Sequence, residues 1–359
     1  MTQPLRAGII GAGFIGGVHA RSVRNLGHVI AGATAAPGQA HRAAAELGAA
    51  EAYESAEALI ASDRIDVVHI CTPNRLHAPL TLRALAAGKH VICEKPVCVD
   101  ESEEQELAAA VGESGRVTAV PFVYRFYPTV REARARLRAP DAAPVHLVHG
   151  SYLQDWMSRP EDTNWRTAPE DGGPSRTFAD IGVHWCDLAE FTTGHRIRRL
   201  LATTSVVHPQ RGGVTVETED AAVLVFETDR GATGSVVASQ VSPGRKNRLW
   251  LSVDSSDAAY VFDQELPDTL WVGGREENRV LHRGTATQSA GAAAYSTVPP
   301  GHPQGYLDSF AAFVKDAYTA FTGEAPDGLP TLKDGLRAAA LTRAVLESSA
   351  KETWVEVTS

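Results

Sequence analysis

The stretch RAGIIGAGFIGGVHARSVRNLG, residues 6–27, limits the fold more than any other part of the chain. It reads as a short apolar strand, a glycine turn and a helix that stops near Gly27. Gly11, Gly13 and Gly16 keep the G-x-G-x-x-G spacing, with Phe14 and Ile15 inside it. The first glycine permits the tight turn, the second lets backbone approach a pyrophosphate, and the third lets helix and strand pack closely. The helix start then offers free N–H groups and a positive dipole end to phosphates. Such a fingerprint alone also fits a glycine-rich turn of an unrelated domain. Between a strand and a helix, it favours a dinucleotide.

The second strand, HVIAGAT, ends at Thr34 and is followed by Ala35 and Ala36. An acid there would bind the adenosine ribose of NAD, and none is present. No arginine follows at once to clasp a 2′-phosphate, although His41 and Arg42 come one helical turn later. The expected cofactor is therefore NAD or NADP. The runs DVVHICT and HVICE are almost continuously apolar, as parallel strands covered on both faces are. Ligands in such sheets bind beyond the carboxyl ends of the strands. Cys71, Thr72, Pro73 and Asn74, with His77 just beyond, fall at one such end, and Glu94, Lys95 and Pro96 at another. A lysine here is either an exposed loop residue with a snorkelling stem or a cation held for a purpose.

A chain of 359 residues exceeds one hydrophobic core. We expect a doubly wound Rossmann domain over residues 1–120. A second α/β domain over 121–359 follows, with late helices packing back toward the first. From about Pro121 the texture turns to aromatic and β-branched runs with turn signals. VTAVPFVYRFYP reads as one such strand. A net charge of -9 with no basic block argues against nucleic acid. No stretch is apolar enough to span a membrane, and no signal peptide is read. The four cysteines form no CxxC pair and suit buried free thiols, so cytoplasm is the expected compartment. His69, His146 and His149 alternate in strand-like runs without ligand spacing, and no metal is expected. In SRTFADIGVHWCDL, Asp180 and His184 stand four residues apart on one helix face, with Asp187 a turn further. The pair fits acid–base chemistry at neutral pH. It also fits an N-terminal Asp beside a satisfied core His.

GIIGAGFIGGVHA, CTPNRLHAP, GKHVICEKP and DIGVHWCDL, in this order, resemble the Gfo/Idh/MocA oxidoreductase family over essentially the whole chain. The resemblance implies an N-terminal Rossmann domain and a C-terminal domain built on a large, mostly antiparallel open sheet. It also implies homodimers or homotetramers through that sheet, and chemistry on secondary alcohols of sugars and cyclitols. By the same resemblance Lys95 contacts the reacting hydroxyl, often before a cis peptide, and Asp180 and His184 complete the catalytic set. His184 is then the proton acceptor, alone or sharing that role with Lys95, and the Lys95 ammonium stabilises the developing carbonyl oxygen, with no metal needed. Trp165 and Arg166 correspond to a pair near the nicotinamide.

Sugar recognition needs convergent polar groups and aromatic faces. The candidates are Tyr124, Arg125, Tyr152, Asp155, Trp156, Asn164, His302 and Tyr306, beside Lys95, Asp180 and His184. YLQDW, TEDAA, SQVSPGRKNRL and GHPQGY resemble the branch that includes levoglucosan dehydrogenase and sugar 3-dehydrogenases. This implies oxidation at carbon-3 of a pyranose. Arg176 and Arg245 are read either as anchors for an anionic substituent or as solvated surface residues. Two other functions stay open, a keto-sugar reductase and a sensing regulator without turnover.

Overall fold

The computed structural model describes residues 4–358. Its first sheet has six parallel strands. They are β1 (Arg6–Ile10), β2 (Val29–Thr34), β3 (Glu51–Ala52), β4 (Val67–Ile70), β5 (His90–Cys93) and β6 (Thr118–Ala119), in the spatial order β3-β2-β1-β4-β5-β6. Ala7, Ile9, Val67, Val68, Ile70, Val91 and Ile92 have no exposed surface. Burial on both faces is why these strands are written without a polar alternation. The order turns back on itself between β1 and β4, which opens a crevice at their carboxyl ends.

The second sheet starts at β7 (Val145–Leu153) and continues with β8 (Ile197–Ser205). A small separate hairpin, β9 (Gln210–Arg211) with β10 (Val214–Thr215), interrupts it. Then come β11 (Ala221–Thr228), β12 (Thr233–Ser239), β13 (Arg248–Ser255), β14 (Ala259–Asp263), β15 (Thr269–Gly273), β16 (Asn278–His282) and β17 (Val355–Glu356). The nine strands lie in the order β16-β15-β14-β13-β7-β12-β11-β8-β17. All pairs are antiparallel except β7 with β12. Along β11 the inward Ala222, Leu224 and Phe226 are buried while Val223 and Val225 are 44% and 43% exposed. That alternation is the two-residue period of a sheet with one covered face.

Two compact units emerge, and neither is one continuous piece of chain. The first runs to Pro121 and resumes over Phe310–Ala339; the second holds Phe122–Ser309 and resumes at Ala340. A single cut after residue 120 therefore does not describe the compact units. Within the first, the later segment is tied in by Val120 N–H donating to Pro330 O at 3.0 Å and Leu332 N–H to Thr118 Oγ1 at 3.3 Å. Gly335 packs so closely on Val97 that a Cβ there would lie 2.5 Å from its methyl group.

Two local expectations change. Residues 123–126, read as strand, form a 3-10 turn capped by the helix Pro128–Leu137. Pro121 and Pro128 flank the segment, and prolines give up the ladder donors a strand needs. The helix around DIGVH does not start as an α-helix. Phe178–Gly182 is a π turn, with Val183 N–H reaching Phe178 O five residues back, before the α-helix Val183–Thr193. Gly182 accommodates the turn, since a Cβ there would stand 2.3 Å from the Phe178 ring.

Candidate active site

At the crevice of the first sheet, three strand ends close on one glycine turn. Gly11 has φ +104, and its N–H donates to Thr34 O at 2.9 Å. A Cβ on Gly11 would lie 2.4 Å from Cys71 O, and one on Gly16 would lie 2.1 Å from Gly11 O. Both clashes are with backbone, so neither can relax cheaply. Gly13 differs, because nothing lies within 4 Å of its would-be Cβ. The helix Phe14–Asn25 begins there without a side-chain cap, and Phe14 is 83% exposed. Thr34 Oγ1 and Thr72 Oγ1 are buried with no hydrogen-bond partner. Open backbone amides, space beside Gly13 and two unused hydroxyls are what a dinucleotide needs. The residues present fit the cofactor.

Asn74, buried, opens the 3-10 turn Asn74–Leu76 behind Pro73. His77 is 1% exposed, so it is a tie beneath the crevice and not a wall of it. Its Nδ1 lies 2.7 Å from Pro96 O and its Nε2 2.9 Å from Thr72 O, which joins the two loops. Burial pushes its pKa down while both carbonyls pull it up. The Lys95–Pro96 peptide is cis, and Lys95 itself is half-buried. Glu94 is buried, its N–H donating to Ile70 O at 3.0 Å and its carboxylate meeting His19 Nε2 at 3.1 Å.

The second unit gathers the other candidates. Gln240 Nε2 donates to Asp180 Oδ2 at 2.8 Å, and Arg166 Nε lies 3.6 Å from Oδ1. The π turn under Asp180 is pinned by Glu219, which accepts from Ser175 Oγ, Arg176 N–H and Phe178 N–H. Arg166 stacks 4.3 Å above the Trp165 ring, and Asn164 caps their short turn. His184 stands in an aromatic enclosure, with Phe122, Tyr124 and Tyr152 at ring distances of 5.5, 5.3 and 6.4 Å. Burial pushes the Tyr124 and Tyr152 hydroxyls up, so both are neutral donors at ordinary pH. From them a polar chain leads outward. Tyr124 bonds Tyr152, which donates to Asn247 Oδ1 at 2.7 Å; Gln154 donates to the same oxygen and accepts from Trp156 Nε1.

Other expected residues are occupied differently. Arg125 is 6% exposed, pairs with Asp187 through two hydrogen bonds and stacks on Phe191. It is a structural cation under the 3-10 turn, not a strand-end group facing open space. Asp155 takes Lys246 Nζ at 2.6 Å, which holds its carboxyl below the usual range. His302 is exposed on its loop, and Tyr306 opens the helix Tyr306–Phe321. Arg176 is neither a surface residue nor an open anion anchor. It is fully buried and shares Asp220 with Arg211. Arg245 lies at the surface, 4.0 Å from Glu265. Gln240 and Asn247 were not singled out from sequence, although both lie in the SQVSPGRKNRL stretch.

Residues 5–122 match the family described as "Oxidoreductase family, NAD-binding Rossmann fold", and residues 130–260 match "GFO/IDH/MocA C-terminal domain". The rhizopine catabolism protein MocA of Rhizobium meliloti is 30% identical over 69% of this chain and 75% of its own. The chain belongs to the Gfo/Idh/MocA oxidoreductases. Levoglucosan dehydrogenase of Pseudarthrobacter phenanthrenivorans is 29% identical across 99% of this chain and 98% of its own. D-glucoside 3-dehydrogenase of Escherichia coli is 30% identical over 54% and 55% of the two chains. A solved levoglucosan dehydrogenase in complex with NADH and levoglucosan superposes with a TM-score of 0.92, at 28% identity over 99% and 100%. This Gfo/Idh/MocA chain is thus an oxidoreductase with an NAD-binding Rossmann domain. Among its described residues no group of three or more His, Cys, Asp or Glu is placed to hold a metal ion. None of its described helices is long and apolar enough to cross a membrane.

Proposed function

We propose that the protein oxidises a secondary hydroxyl of a sugar, anhydrosugar, glycoside or cyclitol, with carbon-3 of a pyranose as the favoured position. The carbon-3 reading rests on the likeness to levoglucosan dehydrogenase and D-glucoside 3-dehydrogenase. The observation that carries the catalytic reading is the way Asp180 is held. A fully buried glutamine fixes one carboxylate oxygen and an arginine approaches the other, on the π turn that leads into the helix carrying His184.

NAD or NADP, when bound, supplies the hydride acceptor. Gly11, Gly13, Phe14, Ile15, Gly16, Thr34, Thr72, Pro73 and Asn74 would hold it, and Trp165 with Arg166 would serve its nicotinamide end. Lys95 donates from Nζ to the substrate oxygen and stabilises charge as the carbonyl forms. His184 takes the hydroxyl proton, in an enclosure that limits water. Asp180 orients neighbouring hydroxyls. Half-buried Trp156 offers a ring face to the pyranose, and the buried Tyr124 and Tyr152 back the site through their hydrogen-bonded hydroxyls.

The test is reduction of NAD and NADP at 340 nm with levoglucosan, alkyl glucosides, free pyranoses and inositols. We expect turnover with a pyranose or anhydrosugar. The Lys95→Ala variant should then lose about 1,000-fold or more in kcat while NADH binding changes little. Undiminished turnover in that variant would remove Lys95 from the mechanism. Turnover with none of the panel would favour the sensing reading.

We also propose that a second copy packs on the outer face of the second sheet. Val223 faces Val237 across the β11–β12 pair, and both are exposed, as is Val225 beside them. Val223→Lys with Val225→Lys should shift the mass measured by light scattering toward the monomer. Four free, buried cysteines accord with a reducing compartment such as the cytoplasm.

A further inference from the structure

Behind the crevice of the first unit, four buried polar side chains stand in one hydrogen-bonded file. Glu94 Oε1 lies 3.1 Å from His19 Nε2, His19 Nδ1 lies 2.8 Å from His69 Nδ1, and His69 Nε2 lies 2.9 Å from the Tyr318 hydroxyl. Both histidines have no exposed surface, Tyr318 has 3% and Glu94 has 8%. Phe310 packs edge-on against the His19 ring, 4.8 Å away.

Two imidazoles in contact through nitrogen give the file a direction. An ionised carboxylate only accepts, so His19 carries its proton on Nε2. With His19 neutral, its Nδ1 accepts and His69 Nδ1 donates. His69 Nε2 then accepts from Tyr318, whose hydroxyl burial keeps protonated. Every nitrogen has one partner of the right kind. A further proton on His19 would force His69 to carry its proton on Nε2, pointing at the Tyr318 oxygen. Burial holds His69 well below the usual imidazole range, so His69 stays neutral and carries a single proton.

The end of the file at Glu94 adjoins Lys95. Burial raises the Glu94 carboxyl, but the His19 hydrogen bond and the nearby Lys95 charge oppose it, and the group stays below its ordinary value. Cys71 and Cys93 also face it, and burial pushes both thiols up, so they remain neutral. At the other end Tyr318 packs against the His28 ring and feels Asp66. The file therefore presents one negative charge, on the residue that precedes Lys95 and within its electrostatic reach.

We propose that His19, His69 and Tyr318 are positioning residues for the oxidation, holding Glu94 as an oriented carboxylate that fixes the place and charge of the Lys95 ammonium. This rests on the reading of Lys95 as the group that polarises the reacting oxygen. Losing the His19 donor removes the strongest influence opposing burial at Glu94, so its pKa rises even with Lys95 still nearby. Lys95 then loses its counter-charge at a higher pH than in the wild type.

The experiment compares pH profiles of kcat and KM for wild type, His19→Leu, His69→Gln and Tyr318→Phe, with NADH affinity measured by fluorescence. In His19→Leu the acid limb of kcat should move up by about one to two pH units, while KM and NADH affinity change by less than about threefold. Tyr318→Phe should move it the same way by less, and it supplies the readout if His19→Leu does not fold. Profiles superposing on wild type in folded variants would overturn the proposal. A second readout is independent of turnover. Nitrogen-15 NMR of the NADH complex should show His19 protonated on Nε2 and His69 on Nδ1; the opposite tautomers would overturn the file. Normal tautomers together with an active Lys95→Ala variant would overturn the role assigned to Lys95 and, with it, the proposal.

Discussion

Asp180 is held through a group that comes from another strand's end, so its partner is the residue to change. Gln240 accepts from Thr177 Oγ1 through Oε1 and donates to Asp180 through Nε2. Gln240→Leu removes a hydrogen bond to a charged acceptor and should lower kcat by about 10- to 100-fold with nucleotide affinity unchanged. Gln240→Glu sets a second carboxylate where the amide stood. The two acids then share a proton, Asp180 titrates higher, and the pH–rate profile should gain a second acid step beside the wild-type limb. None of this is written in the spacing of DIGVH, because Gln240 lies sixty residues later. The same holds for His69, read as a structural histidine from its strand, whose partner Tyr318 comes 249 residues further on. Residues whose role is set by neighbours close in sequence, such as Gly11 and Gly16, were legible. Those set by tertiary contact were not.

Among the elements, the glycine turn and the parallel strands declare themselves because their constraints are local. Tight turning needs φ > 0 at Gly11, and double-sided burial needs unbroken apolar runs. The π turn does not declare itself. A four-residue spacing looks the same whether the intervening peptide hydrogen bond spans four residues or five, and only packing against Phe178 and Glu219 decides. Filling Gly182 tests that packing. Gly182→Ala drives a methyl into the Phe178 ring and should cost about 1–3 kcal/mol in urea unfolding, with a loss of turnover beyond the loss of stability. His77 does comparable work between the Thr72 and Pro96 loops. His77→Leu removes the ring that ties the two loops, leaves a buried carbonyl without its donor, and should lower stability by about 2 kcal/mol while weakening NADH binding.

For the whole molecule, buried imidazoles set the response to acid. Burial holds both His69 and His77 below the ordinary imidazole value. As pH falls through about 6.5 the unfolded chain takes up protons that the folded one refuses, so stability drops on the acid side and is fully present above it. Each such group contributes a slope approaching about 1.4 kcal/mol per pH unit. Urea titrations at pH 7.5, 6.5 and 5.5 should show falling midpoints, and His69→Gln should flatten the trend.

The interleaving of the two units has a consequence for how the chain is made. The ribosome releases β1 through β6 first, yet Val120 N–H waits for Pro330 O and the Thr118 hydroxyl oxygen for Leu332 N–H. The second sheet waits as well, because β7 pairs with β12 and β13, which are synthesised far later. The nascent nucleotide fold must therefore keep part of its apolar surface uncovered through most of translation. A stalled or truncated chain ending before residue 310 would lack the piece that closes it, and is the form most open to chaperones, proteases and aggregation.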